Sequence, residues 1–171
     1  GPGKSRSGSG AGGPGSAFHV KGWGLHHEQV ELVQNCWGQY EHNNQPVWHQ
    51  LWMFAPAGCA ARGQYWLRRV TQEGYGPTYF TGDEDNGSMA SWFVLSAMGI
   101  YQLVPGDTTY SIGSPLYRDL SIQLDGGKVL RIVAPGNDAT TPYVHRVVFN
   151  GRELPRLEID YHDLVGGGVL N

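Results

Sequence analysis

The chain has 171 residues, enough for one domain of ordinary size with a real core. It is 40% hydrophobic with six tryptophans, which excludes a disordered chain, and its net charge of −3 argues against a nucleic-acid partner, because phosphate binding needs clustered Lys and Arg. No run of about 18 apolar residues occurs, so no membrane span is expected.

Residues 1–17, GPGKSRSGSGAGGPGSA, are Gly, Ser and Pro with two basic side chains. Such a segment cannot bury enough apolar surface to offset its ordering entropy, so it reads as a flexible tail. There is no initiating Met and no charged-then-apolar leader, and the chain reads as a piece of something longer. HHEQVELVQNCWGQY (26–40) carries a short helical pattern ending near Gly38. QPVWHQLWMFAPAG (45–58) follows, with Pro46 suited to a first helical position and Val47, Leu51 and Phe54 at helical spacing. AARGQYWLRRVTQEGYG (60–76) predicts a third helix with Tyr65, Leu67 and Val70 on its apolar face and Gly74 as its stop. SMASWFVLSAMGIY (88–101) predicts a fourth, capped by Ser88, ended by Gly99, and apolar nearly all round, hence buried.

After Pro105 the period changes from that of helices to that of strands. LSIQLDGGKVLRIV alternates on both sides of Asp125-Gly126-Gly127, a hairpin signal. YVHRVVFNGREL repeats the pattern around Asn150-Gly151, and the final GGGVLN reads as the start of another strand. Helices first and antiparallel strands after predict an α+β chain: a tail over 1–17, a helical part over 18–105 and a β part over 106–171. Cys36 and Cys59 can pair or stay free.

Two constellations carry chemistry. The first is GDEDNG (82–87), with Asp83, Glu84 and Asp85 in consecutive positions before an apolar helix. One acid would satisfy the helix dipole; three repel one another and call for a cation, a metal or a substrate. A helix–loop–helix calcium site fails on spacing, since counting from Asp83 puts Gly87 at position 5 and Val94 at position 12. An extended turn points alternate residues the same way, so Asp83 and Asp85 are expected to converge while Glu84 faces elsewhere, which suits one of the pair to act as a general base. Both lie on one turn, so neither can be the opposed acid of an inverting glycosidase. The second constellation is GQYEHNNQPVWH (38–49). Its amides, imidazoles and indole suit the holding of sugar hydroxyls, and its Asn and Gln oxygens are possible calcium ligands; a polar turn leading into a helix is the plainer reading.

GQYEHNNQPVWHQLWMF, GDEDNGSMASWFVLSAMGIYQLVPG and YSIGSPLYRDLSIQL resemble, in order and rough spacing, glycoside hydrolase family 92, the calcium-dependent inverting exo-α-mannosidases. The resemblance runs from about Gly38 to the C-terminus. Family members commonly read H-G-N-E-P-S-H-H where this chain has His42-Asn43-Asn44-Gln45-Pro46-Val47-Trp48-His49, so Asn replaces Gly at 43, Gln replaces Glu at 45 and Trp replaces His at 48. The resemblance implies the terminal helices of an (α/α)6 toroid followed by antiparallel, sandwich-like C-terminal strands, an incomplete copy of the family fold. It implies Asp85 as general base with Asp83 beside it. It makes His42, Asn44, Gln45, Trp48 and His49 sugar-binding residues, and places Ca2+ nearest Asn44 and Asp83. The partner it implies is a mannose-containing glycan, together with an upstream part of the parent chain. The family's general acid belongs to an upstream Glu segment that this chain does not contain. Two readings follow: the C-terminal part of an α-mannosidase acting on terminal α-mannosides, or a catalytically inactive fragment or carbohydrate-binding module that lacks the acid. A secreted or endomembrane location is implied by the resemblance alone.

Overall fold

The computed structural model describes residues 27–171; the expected tail over 1–17 lies outside them. In chain order the elements are α1 (His27–Asn35), a 3-10 segment (Gln45–Leu51), α2 (Ala60–Glu73), β1 (Tyr75–Gly76), β2 (Tyr79–Phe80), α3 (Ser88–Met98), β3 (Ile100–Tyr101), β4 (Thr109–Ile112), β5 (Asp119–Gln123), β6 (Val129–Val133), β7 (Val148–Phe149), β8 (Arg152–Glu153), β9 (Glu158–Asp160), α4 (Tyr161–Gly166) and β10 (Gly168–Leu170). The chain is thus mixed helix and largely antiparallel sheet, as its two periodicities imply. Among the described residues no helix is long and apolar enough to cross a membrane.

Three sheets form. β1 and β2 make a small hairpin, β3-β4-β9 an antiparallel sheet, and β5-β6-β10-β7-β8 a five-stranded one. The expected hairpin about Asp125-Gly126-Gly127 forms between β5 and β6, pairing Asp119 with Val133 and Gln123 with Val129. The second hairpin turns at Asn150-Gly151, whose φ angles of 49° and 81° are those of a primed turn, but each arm is only two residues long. The final strand β10 inserts at the centre of the sheet, parallel to β6 and antiparallel to β7.

Two hydrophobic cores result. One joins Trp37, Trp48, Leu51, Trp52, Leu67, Val70, Met89 and Trp92 between the helices. The other joins Ile100, Ile112, Leu130, Ile132, Phe149, Ile159 and Leu170 with their neighbours between sheet and loops. Helix α3 serves both: Met89 and Trp92 enter the first, while Leu95 and Met98 pack on the second. Each large apolar side chain fully buried this way contributes about 1.5–3 kcal/mol. Arg68 on α2 is a polar tie between the halves. Its Nη1 donates to the Asp138 carbonyl at 2.7 Å, and its Nη2 to Ser114 Oγ and the Pro115 carbonyl at 2.8 Å and to Asn137 Oδ1 at 2.5 Å.

The helices differ from expectation in four places. α1 stops at Asn35, short of Gly38, where Cys36 takes a left-handed φ of 54°. Residues 45–51 wind as a 3-10 helix, and Gly63 of α2 lies so close that an added Cβ would meet the Leu51 carbonyl at 2.8 Å. Tyr65 faces solvent, because long-range hydrogen bonds draw the polar Gln64 and Arg68 inward instead. α3 is not covered on every side: Val94 is 53% exposed.

Candidate active site

The acidic turn is built on backbone that few side chains tolerate. Gly82 has φ of 87°, and Asp85, Asn86 and Gly87 have φ of 49°, 60° and 88° in succession. Left-handed non-glycine residues are strained, and such strain persists where surrounding contacts hold it and gathers at functional sites. Here the contacts come from Glu84. Its Oε1 accepts from Ala90 N at 3.1 Å, its Oε2 accepts from Gly87 N, and its carbonyl accepts from Met89 N at 3.1 Å. The middle acid therefore caps α3, and Gly87 rather than Ser88 occupies the N-cap position. Ser88 instead donates its hydroxyl to the Asp85 carbonyl at 2.7 Å, tying the turn from the other side. Asp83 and Asp85 are left at the surface.

The structure brings the two sequence constellations together. Gln45 Nε2 donates to Asp85 Oδ2 across 40 residues of chain. Beside that contact, Gly82 packs against Asn43 so closely that an added Cβ would lie 2.4 Å from the Asn43 Cβ and 2.7 Å from its Cα. Only glycine meets both demands there, the positive φ and the missing side chain. Asn43 is buried, and its Nδ2 donates to Glu31 Oε2 on α1 at 2.6 Å, while its Oδ1 has no hydrogen-bond partner among the described residues. Asn44 and Gln45 are half-buried and His49 is exposed, all three within reach of solvent near the turn's partner segment.

Two residues expected to touch sugar sit below the surface instead. His42 is fully buried, with Nδ1 2.8 Å from the Tyr40 hydroxyl and Nε2 2.7 Å from the Tyr75 hydroxyl. Burial pushes its imidazole down to about 3, so it is neutral across the physiological range. Trp48 is also in the core, its indole N–H donating to the His42 carbonyl at 2.5 Å. Both ring nitrogens of His42 and the one donor of Trp48 are spent inside the protein, so neither faces a ligand. Around His42 lie the rings of Trp37, Tyr40, Trp48, Tyr75 and Trp92, the last with its centroid 4.2 Å away. Cys36 and Cys59 are both free and exposed.

Glu73, the acid at the end of α2, is engaged by Trp37 and Arg69. Burial works to raise its carboxyl, but hydrogen bonds from Arg69 and Trp37 and the Arg69 charge outweigh that and hold it below the usual range. A group held ionised does not donate a proton near neutral pH.

The family model for the glycosyl hydrolase family 92 catalytic domain matches residues 18–171. The chain belongs to glycosyl hydrolase family 92. Among solved structures it is similar to the family GH92 α-mannosidase of Bacteroides thetaiotaomicron, at 27% identity and a TM-score of 0.75, covering 78% of this chain and 18% of that one. That enzyme is also known in complex with mannoimidazole. It is similar as well to a family GH92 inverting mannosidase of the same bacterium, at 39% identity and a TM-score of 0.71, covering 85% of this chain and 20% of that one. An uncharacterized secreted glycosidase of Arthroderma benhamiae is 30% identical over 92 residues, covering 52% of this chain and 12% of that protein. The chain thus spans a fifth or less of the length of these relatives.

Four residues that shape this candidate site escaped the sequence reading: Tyr40, Tyr75, Glu31 and Gly82. Gly82 had a signal, since a glycine ahead of strained acids marks a close approach. The other three act through partners 2 to 33 residues away whose proximity no periodicity records.

Proposed function

We propose that this chain carries the base side of the catalytic site of an inverting α-mannosidase that hydrolyses terminal α-mannosides of glycans. The observation that carries the reading is the Gln45–Asp85 contact, which joins the amide-rich segment to a surface carboxylate on a strained turn. Family membership and mannosidase neighbours support the substrate class. On this reading the helices are the closing helices of a toroid and the strands its sandwich-like C-terminal part.

Asp85 accepts the proton of the attacking water as that water's oxygen bonds to the anomeric carbon. The Gln45 amide fixes the carboxylate's orientation so that its other oxygen faces the water. Asp83 flanks it, and Asn44, Gln45 and His49 offer donors and acceptors to sugar hydroxyls. His42 and Trp48 hold this segment from beneath. An inverting reaction also needs an opposed acid, roughly 6.5–9.5 Å from the base, to protonate the leaving oxygen. Glu73 cannot fill that place, and the acid comes from the longer parent protein.

Calcium is part of the proposal. Among the described residues no three His, Cys, Asp or Glu side chains gather as metal ligands. The two segments offer hard oxygens nonetheless, carboxylate from Asp83 and amide from Asn44, and Asn43, against which Gly82 packs, has an amide oxygen without a hydrogen-bond partner among the described residues. That set suits a hard cation whose remaining positions go to carbonyls, water and sugar hydroxyls. When bound, calcium would supply charge to grip two ring hydroxyls of a mannoside.

The test is Asp85→Asn in the full-length protein with an activated aryl α-mannoside, whose good leaving group removes the need for the acid. The expected result is a loss of kcat by orders of magnitude with the fold intact, and release of β-mannose by the native protein. Near-normal turnover by the variant, or first release of α-mannose, would sink the assignment.

A further inference from the structure

The buried histidine beneath the site has a direction built into its contacts. Tyr75 Oη lies 2.7 Å from His42 Nε2, 2.7 Å from Met89 Sδ and 3.5 Å from the Met89 carbonyl. Both Met89 atoms only accept, and Tyr75 Oη lies in donor geometry to each, so the Tyr75 proton has an acceptor on α3 as well as on the His42 ring. With that proton on Met89, His42 Nε2 is the donor towards Tyr75, since two lone pairs would otherwise face each other in a dry core. A neutral imidazole with its proton on Nε2 leaves Nδ1 as an acceptor, and Tyr40 Oη at 2.8 Å supplies the proton it needs. Each ring nitrogen of His42 then has one partner.

The two ends of this chain belong to the two halves of the site. His42 precedes Asn43, Asn44 and Gln45, and Met89 stands in the first turn of α3, four residues after Asp85. We propose that His42 is a positioning residue, held as the Nε2–H tautomer in a one-way hydrogen-bond chain from Tyr40 through His42 and Tyr75 to Met89, which sets the distance between Gln45 and Asp85. This rests on the reading of those segments as one site. Tyr75 stacks on Trp92 and Phe93 of the same helix, so the chain is anchored on α3 by ring packing as well. The neutral aromatic cage makes the link insensitive to salt, unlike a surface ion pair.

The experiment uses the full chain with 15N-labelled histidine and reads the ring nitrogen shifts of His42 at neutral pH. The expected result is one tautomer with the proton on Nε2; a proton on Nδ1, or two tautomers in exchange, overturns the proposal. Tyr75→Phe removes the acceptor of that proton while keeping the ring. It is expected to move the Gln45 side-chain amide resonance and to lower kcat roughly 10- to 100-fold at a KM within about twofold, the size of a small misplacement of reacting groups. An unmoved Gln45 amide, or a variant that only melts earlier with kcat intact, overturns the positioning role. Should the native protein turn over no mannoside, the functional reading fails, while the tautomer and the Gln45 amide still decide this one.

Discussion

Acidification should weaken this protein through His42 before its carboxylates protonate. The imidazole is buried, its pKa is pushed down to about 3, and its hydrogen-bond partners are the hydroxyls of Tyr40 and Tyr75. The remaining groups packed against it are the rings of Trp37, Trp48 and Trp92, and none of these contacts is a charge that could stabilise an imidazolium. In the unfolded chain the same ring takes up a proton at its ordinary value of about 6.5. Between those two values the unfolded state holds one proton more than the folded state, so stability rises with pH across the window. The contribution is complete above about 6.5 and is lost as pH falls, at about 1.4 kcal/mol per unit. By pH 5 the loss comes to about 2 kcal/mol, against a typical total of about 5–15 kcal/mol. The assay is urea unfolding from pH 7.5 to pH 5 for the native protein and for His42→Gln, which has no titrating ring. All other groups titrate alike in both, so the difference between the two curves belongs to His42. The native curve should steepen by the stated amount relative to the variant. Parallel curves would refute the reasoning, and would mean that the core opens to solvent or that the ring carries a proton when folded.

Other outcomes follow from single contacts. Gly82→Ala must relieve a Cβ placed 2.4 Å from Asn43 Cβ at a φ of 87°; it should cost roughly 1–2 kcal/mol from the left-handed backbone alone, with further loss from the overlap, and should separate Gln45 from Asp85, read as a fall in Tm with a larger fall in kcat. Arg68→Met leaves the buried Asn137 Oδ1 without its donor and should cost about 3 kcal/mol in denaturant unfolding, with no change in ligand affinity in the folded fraction. Chelation should abolish mannoside hydrolysis by the full-length protein and added calcium should restore it; full activity in excess chelator removes calcium from the proposal.

The elements legible in the sequence were those set by local chemistry. α2 and α3 follow from apolar spacing and from Gly74 and Gly99, and the β5–β6 hairpin from Asp125-Gly126-Gly127. What stayed hidden depended on partners distant in the chain. Tyr65 faces water because Gln64 bonds to Val144 and Arg68 to Asn137, 80 and 69 residues away. The segment after Thr141 alternates like a strand, yet pairs only from Val148 onward. At the site, residue types announced a polar, acidic centre but not its layering. His42 and Trp48 look like ligand-binding side chains in a list of residues; the tyrosine hydroxyls and the indole contact that bury them are properties of the packed chain. Glu84 is the converse, an acid whose apparent repulsion with its neighbours is answered by two backbone amides at the start of α3, those of the N-cap Gly87 and of Ala90.

The placement of β10 has a consequence for how the protein comes together. The β5–β6 and β7–β8 hairpins are closed by short turns, and each is able to form within microseconds of being made. Neither hairpin pairs with the other. Among the described residues their bridge in the five-stranded sheet is Gly168–Leu170, which lies later in the sequence than all four strands it unites. Asn150, at the tip of the second turn, reaches across with its Oδ1 to receive Val169 N at 2.8 Å. During synthesis the two hairpins therefore wait with open inner edges, exposed to pairing with other chains, until a keystone of three residues leaves the ribosome and drops between them.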